Sequence, residues 1–277
     1  MTDSTLAFIG GGNMAGSLIG GLIADGWSPG RIQVADPDPA RISQLAERFS
    51  VITTRDNSEA VANADAVVLA VKPQILQDVA GQIAPAIRQQ QPVVISIAAG
   101  IRETTLRSWL GEDSAIVRCM PNTPAMVRSG ATALYANARV SEAQRSLAES
   151  VLRAVGLALW LDDEAQMDAV TALSGSGPAY FFLFMEALQA AGTELGLPPD
   201  TARLLSLQTA FGAAKMALES SEDAATLRRQ VTSPGGTTER AIEVFTQEGL
   251  QGMVLKALQA AAGRSRELAD EFGGNPL

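Results

Sequence analysis

The feature that most constrains this chain is a glycine-rich turn close to its start. An apolar stretch, Leu6–Ile9, leads into the sequence Gly-Gly-Gly-Asn-Met-Ala at residues 10–15, and a helical pattern follows. This is a G-x-G-x-x-A fingerprint in the strand, turn and helix context that a dinucleotide-binding fold requires. Gly10 permits the tight turn, Gly12 lets the backbone approach a pyrophosphate, and the small Ala15 lets helix and strand pack closely. A glycine-rich turn without a ligand is the alternative.

The rest of the first half alternates strand-like and helical segments. This alternation predicts a doubly wound α/β Rossmann domain, in which helices cover both faces of a parallel sheet. We expect a further strand at 132–136, a helix opened by a capping box of Ser141 and Gln144, and a last strand at 157–161. The strand-like runs of the alternating part are 6–9, 32–35, 66–71, 93–97 and 115–119.

From Glu164 onward the pattern becomes helical throughout. Runs of β-branched residues disappear, and Ala/Leu-rich stretches are separated by Gly-Pro, Pro-Pro and Pro-Gly-Gly, which start and stop helices. We therefore predict a dinucleotide-binding domain at residues 1–162 and an all-α dimerisation domain at 163–277. Two predicted helices, 179–195 and 201–218, are apolar almost all round and have to be buried. We predict an intimate homodimer through these two helices.

The composition excludes several kinds of chemistry. The chain has no histidine, which removes Ser-His-Asp and Cys-His pairs and His-bearing zinc sites, so we expect no metal centre. Cys119 is the single cysteine and can form no internal disulfide, so we expect a cytoplasmic protein. Acidic residues number 30 against 21 basic ones, which argues against nucleic-acid binding. The longest apolar run in a helical context, 179–185, is too short to span a membrane.

An acidic residue after the second predicted strand bears on the choice of cofactor. Asp36 lies close to where an acid commonly binds the adenosine ribose, and it would favour NAD over NADP by repelling a 2′-phosphate. The sequence Asp-Pro-Asp-Pro is alternatively a simple turn in which Asp38 caps the next helix. Because Arg31, Arg41 and Arg55 could compensate for a phosphate, the residues leave both cofactors open.

Other loops follow predicted strands, and in an open parallel sheet such loops line the ligand crevice. They are Ala-Val-Lys-Pro at 70–73, Ile-Ala-Ala-Gly at 97–100 and a polar loop at 119–124. Lys72 stands where a cofactor would pass, although a solvated loop lysine is equally expected there. These loops extend the predicted crevice beyond the glycine-rich turn.

Two loops of the second half contain small and hydroxyl residues. Ser-Gly-Ser-Gly-Pro at 174–178 indicates, by itself, only the start of an apolar helix. Ser-Pro-Gly-Gly-Thr-Thr at 233–238 opens another helix, and its glycines and hydroxyls form a small anion site suited to a carboxylate. Alternatively, Thr237 or Thr238 simply caps that helix.

Taken together, six segments closely resemble the pyrroline-5-carboxylate reductase family, nearly from end to end. The last two segments are highly specific to that family, whereas the first is shared by many dehydrogenases. The resemblance implies reduction of pyrroline-5-carboxylate to proline, the last step of proline biosynthesis, by hydride transfer from NADPH or NADH. It also implies dimers that sometimes assemble into rings of dimers, such as a decamer. The segments are 8–14, 70–73, 96–100, 118–124, 168–180 and 231–238.

The resemblance further implies roles for individual residues. Gly236, Thr237 and Thr238 should hold the substrate carboxylate, with the catalytic Thr238 hydroxyl near the ring nitrogen. Glu164 should contact substrate and Gln230 cofactor. Family members that prefer NADPH often have a small polar residue in place of Asp36. The remaining implied cofactor contacts are Ile9, Gly10, Gly11, Gly12, Asn13, Met14, Asp36, Asn57, Ala70, Val71, Lys72, Pro73, Ile97, Ala98 and Ala99.

Rival enzyme classes lack their catalytic residues in this chain. Hydroxyacid dehydrogenases of similar layout carry a lysine soon after the second-domain Gly-Ser-Gly, where this chain has Tyr180 and Phe181. A dinucleotide sensor on the same scaffold is the non-catalytic alternative. Reduction of a protonated imine needs no strong acid or base at the reacting atom, so the absence of histidine fits an imine reductase better than most dehydrogenases.

Overall fold

The apolar runs of the first half form one eight-stranded sheet in the computed structural model, which describes residues 4–273. Its order is β3-β2-β1-β4-β5-β6-β7-β8, and only β6 and β7 pair antiparallel. The predicted doubly wound sheet is therefore confirmed. The strands are β1 (Leu6–Ile9), β2 (Ile32–Ala35), β3 (Ile52–Thr54), β4 (Ala66–Leu69), β5 (Val93–Ser96), β6 (Ala115–Met120), β7 (Gly130–Ala136) and β8 (Gly156–Trp160).

One strand, β3, was not predicted. It has three residues, and a segment of that length is too short to show the alternation that identifies a strand. Its residues Ile52, Thr53 and Thr54 are all β-branched, but they form an edge strand with Ile52 half exposed and lack the continuous apolar run of the buried strands. β3 forms the edge next to β2 and therefore lies on the side of the sheet where Asp36 follows β2.

Helices cover both faces of the sheet, and β1 shows how. Leu6 and Phe8 belong to one buried cluster, whereas Ala7 and Ile9 belong to the cluster on the other face. All four are fully buried, which explains why the strand is continuously apolar. The helices of this half are α1 (Asn13–Ala24), α2 (Pro39–Phe49), α3 (Asn57–Val61), α4 (Pro73–Gln90), α5 (Glu103–Leu110) and α6 (Glu142–Arg153).

Two capping predictions for these helices are confirmed. Asp38 caps α2, because its Oδ1 accepts a hydrogen bond of 2.9 Å from the amide of Ala40. Ser141 and Gln144 form the predicted capping box of α6, each side chain accepting from the other residue's amide. Local side-chain chemistry thus sets where both helices begin.

The second half is helical, as predicted. The helix α8 starts at Gly177, two residues earlier than expected, and α7 is followed by a π-helical turn, Thr171–Gly175. The helices are α7 (Met167–Val170), α8 (Gly177–Glu194), α9 (Pro199–Glu219), α10 (Ala224–Gln230), α11 (Thr237–Gln247) and α12 (Leu250–Gly273).

The chain separates into two units that we treat individually. The sheet unit contains all eight strands, runs to residue 176 and takes in the chain again from residue 261. The helical unit spans residues 177–260. Packing thus groups 163–176 with the sheet, and the domain boundary expected at residue 162 stays a prediction.

The helical unit exposes an unusual amount of apolar surface in the single chain. Within residues 177–260 only Gly177 and Ala202 are buried, and the side chains of Phe181, Phe182 and Phe211 are each more than 60% exposed. Exposed apolar surface of this extent marks an interaction surface. Within residues 4–273, no helix is both long and apolar enough to cross a membrane.

Candidate active site

The glycine-rich turn joins β1 to α1 under tight steric constraint. Gly10 has a φ of 99°, and its amide donates to the carbonyl of Ala35 at 2.8 Å. A Cβ at residue 10 would lie only 2.7 Å from the carbonyl oxygen of Ala70, at the end of β4. Glycine is therefore required by both backbone conformation and space.

Gly12 faces open space instead. It precedes α1 in an extended conformation with φ −69°, and a Cβ there would meet no protein atom within 4 Å. No side chain caps α1, and no acidic residue lies in its first turn, so the amides at this helix start remain available to an anion. The turn thus has the free amides and the open approach that a pyrophosphate requires.

The strand register brings the other predicted cofactor residues to the same edge of the sheet. Ile9 pairs with Ala35 of β2 and with Leu69 of β4, and Leu69 pairs with Ser96 of β5. Residues 10–14, Asp36, 70–73 and 97–99 all follow the carboxyl ends of these strands. Their clustering at one edge is the arrangement predicted for a nucleotide crevice.

Two polar residues near this edge have defined surroundings. Lys72 is exposed and precedes α4, with Pro73 as the first helical residue. Asn57 is the first residue of α3, and its Nδ2 donates to Gln82 Oε1 at 2.9 Å. One N–H of the Asn57 amide is therefore bound to α4, which leaves its second N–H, its oxygen and its backbone for any ribose contact.

Asp36 is 3% exposed and accepts three hydrogen bonds. Its Oδ2 lies 2.8 Å from the amide nitrogen of Gly11 and 3.0 Å from Nη1 of Arg41, and its Oδ1 lies 2.9 Å from the amide nitrogen of Asp38. The contact of Asp36 with the adenosine ribose stays a prediction, and these three hydrogen bonds were not predicted. Asp36 therefore binds both the glycine-rich turn, through Gly11, and the turn that leads from β2 into α2, through Asp38.

Glu164 makes its hydrogen bonds within the sheet unit. Its Oε1 accepts from the amide of Glu103, the first residue of α5, at 2.6 Å and from Nη1 of Arg118. The carboxylate thus stabilises the start of α5 and pairs with a mostly buried arginine. Burial together with Glu164 and Glu103 raises the pKa of Tyr135, the cross-strand neighbour of Arg118.

Asn122 provides a link that sequence reasoning missed. Its Nδ2 donates to the carbonyl and the hydroxyl of Ser174, both at 3.3 Å, and its Oδ1 accepts from the amide of Ala131. The loops 119–124 and 174–176, which the sequence presented only as separate loops, are therefore joined. The π-helical turn that precedes Ser176 is a form often found at functional sites.

Cys119 is chemically inert where it stands. The thiol is fully buried in β6, and burial raises the pKa of the Cys119 thiol far above its ordinary value. Only a thiolate is an effective nucleophile, so this cysteine takes no part in covalent catalysis.

The start of α11, in the helical unit, also lacks a side-chain cap. Gly236 precedes α11 in an extended conformation, and neither Thr237 nor Thr238 caps the helix. The capping alternative considered for these threonines is therefore wrong. Glu239 instead accepts from the amide of Gly235, which has a φ of 72°. Gln230 is exposed at the last position of α10.

The sequences of known proteins match this chain over nearly its whole length. The family model described as pyrroline-5-carboxylate reductase dimerisation matches residues 164–268. Another, described as NADP oxidoreductase, coenzyme F420-dependent, matches residues 5–100. The pyrroline-5-carboxylate reductase of Pseudomonas aeruginosa is 55% identical over 273 residues, which covers 99% of this chain and 100% of that protein. The chain belongs to the pyrroline-5-carboxylate reductase family.

Solved structures of family members resemble the reductase closely. The pyrroline-5-carboxylate reductase of Coxiella burnetii is 48% identical with a TM-score of 0.94, covering 97% of this chain and 100% of that one. The Plasmodium falciparum pyrroline carboxylate reductase, solved with NADP bound, is 28% identical with a TM-score of 0.86, covering 98% and 100%. The reductase is thus an NAD(P)H-dependent oxidoreductase with a Rossmann domain and a helical dimerisation domain.

Proposed function

We propose that the reductase converts L-1-pyrroline-5-carboxylate to L-proline with NADH or NADPH, and that its glycine-rich turn and the start of α11 are the two binding elements. The observation that carries this proposal is the 55% identity, over almost the whole chain, to the pyrroline-5-carboxylate reductase of Pseudomonas aeruginosa. Two helix starts without side-chain caps, those of α1 and α11, add a physical basis, because each offers free amides to an anion.

The glycine-rich turn fits the pyrophosphate of the cofactor. Residues 9–14 would hold it, because Gly12 leaves open space beside the first amides of α1. Residues 70–73 and 97–99, at the same sheet edge, would line the path of the remaining nucleotide. When bound, the reduced nicotinamide supplies the hydride, and the protein supplies position and electrostatics.

The start of α11 fits a carboxylate. No side chain caps the first turn of α11, and the partial positive charge of an 11-residue helix favours a negative group there. The acidic Glu239 of that turn is bound to the amide of Gly235, which precedes the helix. Gly236 and Thr237 would hold the substrate carboxylate. The Thr238 hydroxyl would accept the N–H of the protonated imine, so that no further acid is needed when hydride reaches the C=N carbon.

Three further residues receive narrower roles. Glu164 would contact substrate only through Oε2, since its Oε1 carries the bonds to Glu103 and Arg118. Asn57 would reach the ribose through its oxygen, its backbone or its second Nδ2–H, because only one N–H of Nδ2 is bound to Gln82. Gln230 is exposed and available to the cofactor.

Assembly and location follow from surface and composition. The exposed apolar side chains of α8 and α9 support a dimer through these helices, and we extend this to rings of dimers such as a decamer. A cytoplasmic location is supported by the single cysteine, because one cysteine can form no internal disulfide and needs no oxidising compartment. The mass of the purified protein in solution distinguishes a dimer from a decamer.

Turnover tests the proposed reaction. We expect the absorbance of reduced nicotinamide to fall when pyrroline-5-carboxylate is added to the enzyme with NADH or NADPH, and proline to form. A 3-hydroxy acid supplied with NAD should give no turnover, because the residues that serve hydroxyacid dehydrogenases are missing. Tight binding of NAD(P)H without any turnover would instead favour the sensor alternative.

A further inference from the structure

The glycine-rich turn is fastened to the end of β2 at two successive amides. The amide of Gly10 donates to the backbone carbonyl of Ala35, and the amide of Gly11 donates to the Asp36 carboxylate, each at 2.8 Å. The second bond is charge-assisted and buried, and such bonds are stronger than those between neutral groups. The side chain of Asp36 therefore holds the amide of Gly11 in place, as the backbone carbonyl at the end of β2 holds the amide of Gly10.

Gly11 is also packed tightly against α2. A Cβ at residue 11 would lie 2.8 Å from Cδ1 of Leu45 and 3.5 Å from both Cδ of Arg41 and Cβ of Asp36. The turn therefore packs against Leu45 and Arg41 of α2 and against Asp36, whose carboxylate also binds the Gly11 amide. A substitution of Asp36 would therefore shift the position of Gly11 and, with it, the direction of the amide of the neighbouring Gly12.

Arg41 compensates the buried charge of Asp36. Its Nη1 lies 3.0 Å from Oδ2 of Asp36, while its Nη2 lies 3.9 Å from Oδ2 of Asp38. A carboxylate that is 3% exposed requires such a partner, since an unpaired buried charge is strongly unfavourable. Arg41 is itself half exposed and borders a cavity of about 420 Å³ that Gly11 and Gly12 also line.

We infer that Asp36, with Arg41 as its charge partner, is a positioning residue for the glycine-rich turn, and that this role outweighs its effect on the choice between NADH and NADPH. The inference rests on the proposed binding of the cofactor at this turn. An acid that only repels a 2′-phosphate would be replaceable to the benefit of NADPH. An acid that holds Gly11 in place is required for both cofactors.

Inorganic pyrophosphate separates these two roles because it has no ribose. Removing a negative charge beside an anion site should tighten pyrophosphate binding by simple electrostatics. Loss of the bond to Gly11 should weaken it, because the amides of the turn are no longer held in place. The two roles therefore predict changes of opposite sign in one measurement.

The experiment measures dissociation constants of pyrophosphate, NADH and NADPH by calorimetry on the full-length enzyme and on Asp36→Ala and Asp36→Ser, which both remove the acceptor of the Gly11 amide. We expect at least tenfold weaker binding of all three ligands to both variants. Asp38→Asn is the matched control, because it removes the same charge from the same turn, has no bond to Gly11, and leaves a residue that still caps α2. Its affinities should stay within twofold of wild type or tighten.

A spectroscopic readout distinguishes positioning from a general loss of structure. With ¹⁵N-glycine labelling, the Gly11 amide proton should shift upfield in both Asp36 variants, while glycines distant from the turn keep their shifts. Unchanged or tighter pyrophosphate binding, or a selective gain for NADPH in Asp36→Ser, would overturn the inference. Failure of the wild-type enzyme to bind pyrophosphate, NADH and NADPH would instead refute the proposed cofactor site.

Discussion

Replacing Gly12 with valine is expected to abolish cofactor binding while the enzyme remains folded. No protein atom lies within 4 Å of a Cβ at this position, and its φ of −69° is open to any residue. The valine side chain would therefore occupy only the space through which a pyrophosphate approaches the start of α1. We expect the dissociation constants of NADH and NADPH to rise at least 100-fold, about 2.7 kcal/mol of binding free energy.

Calorimetry of binding, together with the thermal unfolding midpoint, checks this result. Gly81→Val is the matched control, because a Cβ at Gly81 also meets no protein atom within 4 Å but Gly81 lies in α4, outside the predicted cofactor contacts. It should leave both dissociation constants unchanged. Binding to Gly12→Val within threefold of wild type would show that the cofactor does not approach the turn here.

Replacing Thr238 with alanine is expected to lower kcat at least tenfold, about 1.4 kcal/mol of transition-state stabilisation. The Thr238 hydroxyl does not cap α11, so its loss leaves the start of the helix unchanged. What the variant loses is the proposed acceptor for the N–H of the protonated imine. Steady-state turnover of pyrroline-5-carboxylate at saturating NADPH measures the effect.

Two companion variants give this prediction its controls. Thr238→Ser keeps a hydroxyl at the same position and should retain most of the activity. Thr246→Ala removes a hydroxyl from the same helix that is bound only to the carbonyl of Ile242, and it should leave kcat unchanged. An unchanged kcat in Thr238→Ala would remove this hydroxyl from the mechanism.

Sequence reasoning predicted the elements whose signals are local. The sheet followed from continuous apolar strands, and the α6 capping box from residues only three apart, Ser141 and Gln144. The glycine-rich turn followed from the requirement for glycine at 10, where backbone conformation and the Ala70 carbonyl leave no room for a side chain. β3 was missed because three residues carry too little pattern.

The hydrogen-bond partners of side chains that are distant along the chain could not be predicted from the sequence. The pairing of Glu164 with Arg118, 46 residues apart, depends on the fold that brings them together. The bond between Asp36 and Gly11 is of the same kind, since either residue had several plausible partners along the chain. Thr238 shows a third case, because a threonine at a helix start is more commonly a cap than a ligand residue, and only the geometry excluded the cap.

Transfer of deuterium tests the central claim most directly. The enzyme is supplied with pyrroline-5-carboxylate and NADPH that carries deuterium at its transferable position, and the proline formed is examined by mass spectrometry and NMR. Hydride transfer to the C=N carbon predicts one deuterium per proline, on the ring carbon next to nitrogen that does not bear the carboxylate. The experiment is run with deuterium on each face of the reduced nicotinamide in turn. Proline that contains no deuterium with either label would contradict the account, as would the absence of proline.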